Sequence, residues 1–278
     1  MIVELKKNKY VRVRTLVNPL KFHLAIDAII DAAIPGRIWV DNENDPKSAL
    51  IWDIRYSYYL AGREDNYEFN IDLRKLFTKE IAPNALSRGI KQYFLICSET
   101  WKTVIMEKEI ITEKSHLSTI PRCYYVLKTF RSGDWEQQIP PYFQMKFIDN
   151  QLLRNKNFKN LNSLMIEIED IAGSTEEFLR KGNFGYCLLS SELEIISWCL
   201  SFVHDHSCEA WVQTVETHQK KGFATLTVAA FVDYCQNNNI TVGWHSNKDN
   251  QGSIKLAEKI GFERTSEEYF WVFGDHEA

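Results

Sequence analysis

The chain has 278 residues, of which 45% are hydrophobic and 25% charged, and its formal net charge is −4. That is enough apolar material for a sizeable core and a length that favours about two domains, while the mildly acidic balance gives no bulk attraction for nucleic acid or an anionic membrane. Charges at Glu4, Lys6 and Lys7 interrupt the apolar run that a signal peptide needs, and no stretch reaches the roughly 18 apolar residues of a membrane span, so a cytoplasmic chain is expected.

In chain order, a helix is expected over 19–33, where Leu20, Leu24, Ile26, Ile29 and Ile30 supply an apolar face that Pro35 and Gly36 end. Residues 37–40 and 49–60 read as two strands around a turn of Asp, Asn and Pro. In the second of them Trp52, Ile54, Tyr56 and Tyr58 alternate with Asp53, Arg55 and Ser57, which marks a half-buried sheet face rather than a stacking platform for bases. A strand at 92–97, a helix at 100–111 and a strand at 123–130 follow. The polar stretch 131–141, with Gly133, Pro140 and Pro141, marks a boundary between a domain at 1–139 and one at 140–278. Beyond it come a strand at 142–148, a helical region at 161–181 and strands at 184–189, 194–202 and 209–215. A helix at 223–236, a strand at 240–244, a helix at 251–260 and a strand at 269–273 complete a mixed α/β chain.

The six cysteines, Cys97, Cys123, Cys187, Cys199, Cys208 and Cys235, lack the paired spacing of zinc or dithiol centres. His204, Asp205 and His206 alternate in direction on a hairpin and read as a polar turn, so no metal is expected. No Gly-x-x-x-x-Gly-Lys-Ser/Thr loop is present for a nucleoside triphosphate.

The stretch that carries chemistry starts where the strand ending at Val215 runs through Glu216, Thr217 and His218 into Gln219-Lys220-Lys221-Gly222-Phe223-Ala224 and an apolar helix. A strand, a tight loop and a helix start expose unpaired N–H groups at the positive end of the helix, which is what a pyrophosphate requires. Gly222 and Ala224 leave room for phosphate at the backbone, and Lys220 and Lys221 add local positive charge. Some thirty residues on, Asn250-Gln251-Gly252-Ser253 opens a capped helix that ends in Gly261-Phe262.

These two motifs, in this order, resemble the GNAT acetyltransferases. Residues 219–224 are similar to their acyl-CoA loop, Gln/Arg-x-x-Gly-x-Gly/Ala, and 250–262 to their later Asn-x-x-Ala/Ser-x-x-Leu-x-x-x-x-Gly-Phe helix. A closer resemblance, to the subgroup of zwittermicin A resistance acetyltransferases, runs through residues 45–52, 197–201 and 256–259. The resemblance implies an α/β fold with a central mixed, mostly antiparallel twisted sheet flanked by helices, preceded by an N-terminal α/β domain that is a degenerate copy or a support for the acceptor pocket. It implies an acetyl-CoA-dependent enzyme that acetylates a small primary amine by direct attack on the thioester, working as a monomer or homodimer. The backbone of Val212, Gln213 and Thr214 would pair with the pantetheine arm, the phosphates would sit on Gln219, Lys220, Lys221, Gly222, Phe223, Ala224 and Thr225, and Asn250 and Ser253 would border the cofactor.

A tyrosine on the later helix commonly serves these enzymes as the acid; here that position is Ala257. Tyr269, Ser253 or His245 are the candidate replacements, and Glu216, His218 and Glu209 the candidate bases. The alternative function is an acyl-CoA-binding sensor without turnover.

Overall fold

The computed structural model describes residues 2–112 and 117–276. The chain divides into two compact units, one of residues 1–123 with 266–278 and one of residues 124–265.

The first unit holds strands β1 (Val3–Glu4), β2 (Arg37–Val40), β3 (Ser48–Trp52), β4 (Ser57–Gly62) and β5 (Gln92–Cys97), with helix α1 (Leu24–Ile30) between β1 and β2. Helix α2 (Tyr67–Leu76) passes through a π-type turn into α3 (Ala82–Ser87), α4 (Glu99–Lys108) follows β5, and β6 (Ser118–Leu127) leaves the unit after Cys123. The second unit holds β7 (Phe143–Phe147), α5 (Asn150–Arg154), α6 (Leu161–Ala172), α7 (Thr175–Arg180), β8 (Gly185–Ser190), β9 (Ile195–His204), β10 (Ser207–Thr214), α8 (Phe223–Asn237), β11 (Thr241–Asn247) and α9 (Gln251–Ile260). Strand β12 (Phe262–Asp275) starts in this unit and ends in the first.

The two units repeat one plan. In the first, strands lie in the order β1-β2-β3-β4-β5, antiparallel except for the parallel pair β4–β5, and the end of β12 pairs antiparallel with β5. In the second the order is β7-β8-β9-β10-β11, again antiparallel except for the last, parallel pair. In each the parallel pair is bridged by a helical crossover, α2 with α3 or α8, as parallel neighbours require. This is the mixed, mostly antiparallel sheet with flanking helices that the sequence implied.

One expectation is corrected. The segment 49–60 is not one alternating strand. Asp53 Oδ1 accepts the N–H groups of Arg55 at 2.8 Å and Ser57 at 3.0 Å, and Ile54 adopts φ 54°, so the chain reverses and Trp52 pairs across the hairpin with Tyr58. Both rings are buried and stack 5.3 Å apart, while Tyr56 is left exposed. The chain divides after Cys123, ahead of the polar stretch 131–141. Trp135 is buried, and the Arg131 N–H donates to Ile260 O at 3.0 Å, because an aromatic inside a polar stretch still gains by leaving water.

In the second unit, the face of the sheet under α6 and α7 buries Leu164, Ile168, Phe178, Trp198 and Leu200. The other face buries Leu188 and Ile196 against Phe223 and Leu226 of α8. The helical region expected at 161–181 is interrupted at Gly173, whose φ of 89° ends α6, and Ser174 then caps α7 by accepting the Glu177 N–H at 3.1 Å.

Candidate functional site

Strand β10 is paired along its whole length with β9, from Ser207 opposite His204 to Thr214 opposite Ser197. On its other edge it meets β11 at three positions only, Ser207 with Thr241, Cys208 with Val242 and Glu209 with Gly243. Both strands continue past that rung, to Thr214 and Asn247, without further pairing, so a gap opens between them beyond Glu209. Successive residues of a strand direct their backbone groups to opposite edges. The Val215 N–H donates to Ile196 O of β9 at 2.9 Å, so Gln213 also faces β9 while Ala210, Val212 and Thr214 face the gap. The Thr214 carbonyl accepts Gln219 Nε2 at 3.3 Å, in keeping with that parity. Of the three residues expected along the pantetheine arm, Val212 and Thr214 therefore present their backbone to the gap and Gln213 does not.

The loop after β10 is a short 3-10 turn, Glu216–His218, whose bonds close on the Val215 and Glu216 carbonyls. Lys220 (φ 61°) and Gly222 (φ 85°) then take left-handed conformations, an arrangement that turns successive amides toward one side. Among the described residues no side chain caps α8, whose N-cap is Gly222, so the first-turn amides of Phe223, Ala224 and Thr225 are available apart from Thr225 N–H, which lies 3.0 Å from Gly222 O. A Cβ on Gly222 would find nothing within 4 Å, so the glycine borders open space and is required by its φ. Lys221 Nζ donates to Thr217 O at 3.0 Å, Lys220 and Gln219 are exposed, and the Phe223 ring is buried against Phe143 at 5.0 Å. Behind the loop, Ser197 Oγ lies 2.8 Å from Thr214 Oγ1 and 3.1 Å from Thr227 Oγ1, tying β9, β10 and α8 together.

The later motif fixes α9. Asn250 Oδ1 accepts the Ser253 N–H at 3.0 Å as the helix cap, and Ser253 Oγ accepts Trp244 Nε1 at 3.0 Å. Gly261 has φ 115°, and a Cβ there would come 1.7 Å from Thr129 O, so only glycine fits. Phe262 is buried against Trp244 at 5.5 Å, and Ala257 is fully buried and offers no proton.

At the last rung before the gap, three side chains converge. Glu209 Oε1 lies 3.6 Å from His245 Nε2, and the His245 ring is 4.8 Å from that of Tyr124 on β6. A Cβ on Gly243, opposite Glu209, would sit 2.4 Å from the Tyr124 hydroxyl, so the glycine makes the space that this hydroxyl occupies. The sequence offers Glu209 and His245 as separate candidates without their pairing, and it does not mark Tyr124. The available signal was the lone glycine in the strand Thr-Val-Gly-Trp-His, which announces a close approach. The other catalytic candidates are placed as follows. Glu216 is exposed, His218 Nδ1 is 2.9 Å from Thr217 Oγ1 on the loop, and Tyr269 is buried in the first unit with its hydroxyl 3.4 Å from Arg122 Nε.

The corresponding place in the first unit is closed. β4 and β5 also part, after Tyr59 opposite Ile96. There Trp101 Nε1 donates to Gly62 O at 3.1 Å, Arg63 is paired with Asp65 at 2.9 Å, and Asn66 Oδ1 caps α2 by accepting the Phe69 N–H at 3.3 Å. With Glu64, Asp65 and Glu68 around it, this helix start disfavours an anion.

A mixed sheet whose strand pair separates beside an uncapped, glycine-led helix start has the layout of a GNAT-like α/β fold, and comparison with known proteins agrees. The model of the GNAT acetyltransferase family matches residues 14–270, and the chain belongs to that family of enzymes. The uncharacterized N-acetyltransferase YdfB of Bacillus subtilis is 25% identical over 276 residues, 99% of each chain. A GCN5-related N-acetyltransferase-like protein from Streptococcus suis matches with a TM-score of 0.68 at 21% identity, over 96% of this chain and 98% of its own. A tandem GNAT protein from the clavulanic acid biosynthesis pathway, in a structure without AcCoA, matches with a TM-score of 0.60 at 10% identity, over 100% and 99%. At these identities the structures speak for the fold, and the tandem relative for its two-unit layout.

Proposed function

We propose that the chain is an acetyl-CoA-dependent N-acetyltransferase that acetylates a primary amine of a small molecule, with all of its acyl-donor contacts in residues 124–265. The observation that carries this reading is the parting of β10 from β11 beyond Glu209, next to the open amides at the start of α8. Acetyl-CoA would lay its pantetheine arm along the gap-facing backbone of Val212 and Thr214, and its pyrophosphate on the amides of 220–224, with Lys220 and Lys221 alongside.

The amine nitrogen attacks the thioester carbon, and the oxyanion that forms takes a hydrogen bond from a gap-facing N–H of β10. Val212 and Thr214 are the candidates by parity. The nitrogen's proton passes to the Glu209–His245 pair, directly or through water, as the C–S bond breaks. The thiolate, whose conjugate acid has a pKa of about 8.5, then takes a proton from Tyr124 or from water. Tyr124 would thereby fill the place that Ala257 leaves without a hydroxyl. Glu216 and His218, on the exposed loop, border the phosphates in this scheme.

The resemblance to zwittermicin A resistance acetyltransferases makes small amine-bearing antibiotics a sensible first group of acceptors. Two measurements test the reading: calorimetric affinity for acetyl-CoA, and thiol release from it in the presence of an amine panel. Binding without release would favour a sensor, and absence of binding would end the proposal.

A further inference from the structure

The side chains of Glu209, Trp211 and Gln213 alternate with those of Cys208, Ala210, Val212 and Thr214 along β10. Thr214 and Cys208 turn toward α8, where Cys208 Sγ lies 3.8 Å from Cys235 Sγ and Thr214 joins the hydroxyl cluster with Thr227. Glu209, Trp211 and Gln213 therefore lie on the opposite face, under α6, the face on which an acceptor reaches the gap without meeting the phosphate helix. Here Trp211 Nε1 donates to Glu167 Oε2 of α6 at 2.6 Å.

Two features make this contact more than a tether. Trp211 keeps about half of its surface, 49%, open to solvent, so its indole is a face that a ligand can cover. Glu167 is half-buried and, among the described residues, has no basic partner. Burial first, and then the charge of Asp170, push its carboxyl up, against the opposing hydrogen bond from Trp211. The charged side chains of α6 are all acidic: Glu167, Glu169 and Asp170.

We propose that Glu167 and Trp211 select an acceptor with a second positive charge, a diamine, polyamine or multiply aminated sugar, whose far ammonium sits on the carboxylate and indole while the near amine is acetylated beside Glu209. This rests on the acetyltransferase reading given above. Glu209 and Trp211 are two residues apart on one strand face, so their Cα atoms are ~7 Å apart, a span that a short diamine covers. The indole face attracts a cation, and an ammonium relieves the half-buried charge on Glu167.

The test compares 1-aminobutane with 1,4-diaminobutane and spermidine, using the full-length chain. The wild-type protein is expected to favour the diamine or spermidine in kcat/KM by about tenfold or more, the size of one charge-assisted hydrogen bond. Glu167→Gln keeps an acceptor for the Trp211 N–H but no charge. It is expected to erase that preference through KM of the polyamines, leaving kcat, the monoamine's kcat/KM and the melting temperature unchanged. Equal use of mono- and diamine by the wild type, or an undiminished preference in Glu167→Gln, overturns the proposal. So does failure to acetylate any of the three while acetyl-CoA still binds, which leaves the donor site standing; loss of acetyl-CoA binding itself would instead refute the underlying function.

Discussion

Replacing Gly222 by glutamate separates the proposed phosphate contacts from the fold. Any L residue at φ 85° is strained by roughly 1–2 kcal/mol, but its Cβ meets no atom within 4 Å, so the chain should still fold. The new carboxylate would stand about 5 Å from a pyrophosphate carrying two charges. That repulsion is ~1.7 kcal/mol even at the dielectric constant of water and ~7 kcal/mol at an effective constant of 20, so affinity should fall at least ~15-fold. Gly182 supplies a matched control: φ is 74°, nothing lies within 4 Å of its Cβ, and it sits in the same unit, away from the loop. Calorimetry of acetyl-CoA binding, with melting temperatures alongside, should show that Gly222→Glu and Gly182→Glu lose similar stability and that only the first loses affinity. If Gly222→Glu folds and binds within twofold of the wild type, the loop does not hold the phosphates.

The other predictions concern the cluster at Glu209 and His245, the later helix and the first unit. Glu209→Gln and His245→Gln should each lower kcat by ~10²–10⁴ with acetyl-CoA affinity unchanged, whereas Glu216→Gln and His218→Gln should leave kcat within about threefold; steady-state kinetics with saturating amine decides between the two pairs. Gly261→Ala would force a methyl group against Thr129 O and should cost ~3 kcal/mol or more, visible as a fall in melting temperature of roughly 6–12 °C. Asn250→Ala, which removes the cap of α9, should cost ~1 kcal/mol in chemical denaturation. Titration should give one acetyl-CoA per chain, and a second equivalent site would show that the first unit also binds it.

How much of this was legible in the sequence depends on whether a signal was local. Strands at 37–40 and 92–97 and the helix at 251–260 fall where periodicity places them, because each is one uninterrupted apolar pattern with clear ends. The 49–60 segment misled because an alternating row of aromatics looks alike in a long strand and in a hairpin. What decides is Asp53, which collects two backbone N–H groups and turns the chain. The glycine-led start of α8 was legible because Gly222 and the apolar run that follows it adjoin in sequence. The cluster of Tyr124, Glu209 and His245 was not, since its members come from three separate strands and only the pairing of β10 with β11 brings two of them together.

The two units show why one plan need not mean two sites. Each sets a parallel strand pair beside a crossover helix, and in each the pair parts after a few rungs. What differs is chemistry that the strand order does not specify. After β10 the chain reads Gln-Lys-Lys-Gly and leaves the helix start uncapped; after β4 it reads Arg-Glu-Asp-Asn, and Asn66 spends its side chain on the Phe69 N–H, Asp41 Oδ2 at 2.8 Å and Ser48 Oγ at 3.1 Å. A helix start already capped by its own asparagine and flanked by carboxylates has neither the free donors nor the field that a pyrophosphate needs. Reopening it would require removing Asn66 and the neighbouring acids together, since either alone still opposes the anion, and a single substitution in the first unit should therefore create no second binding event.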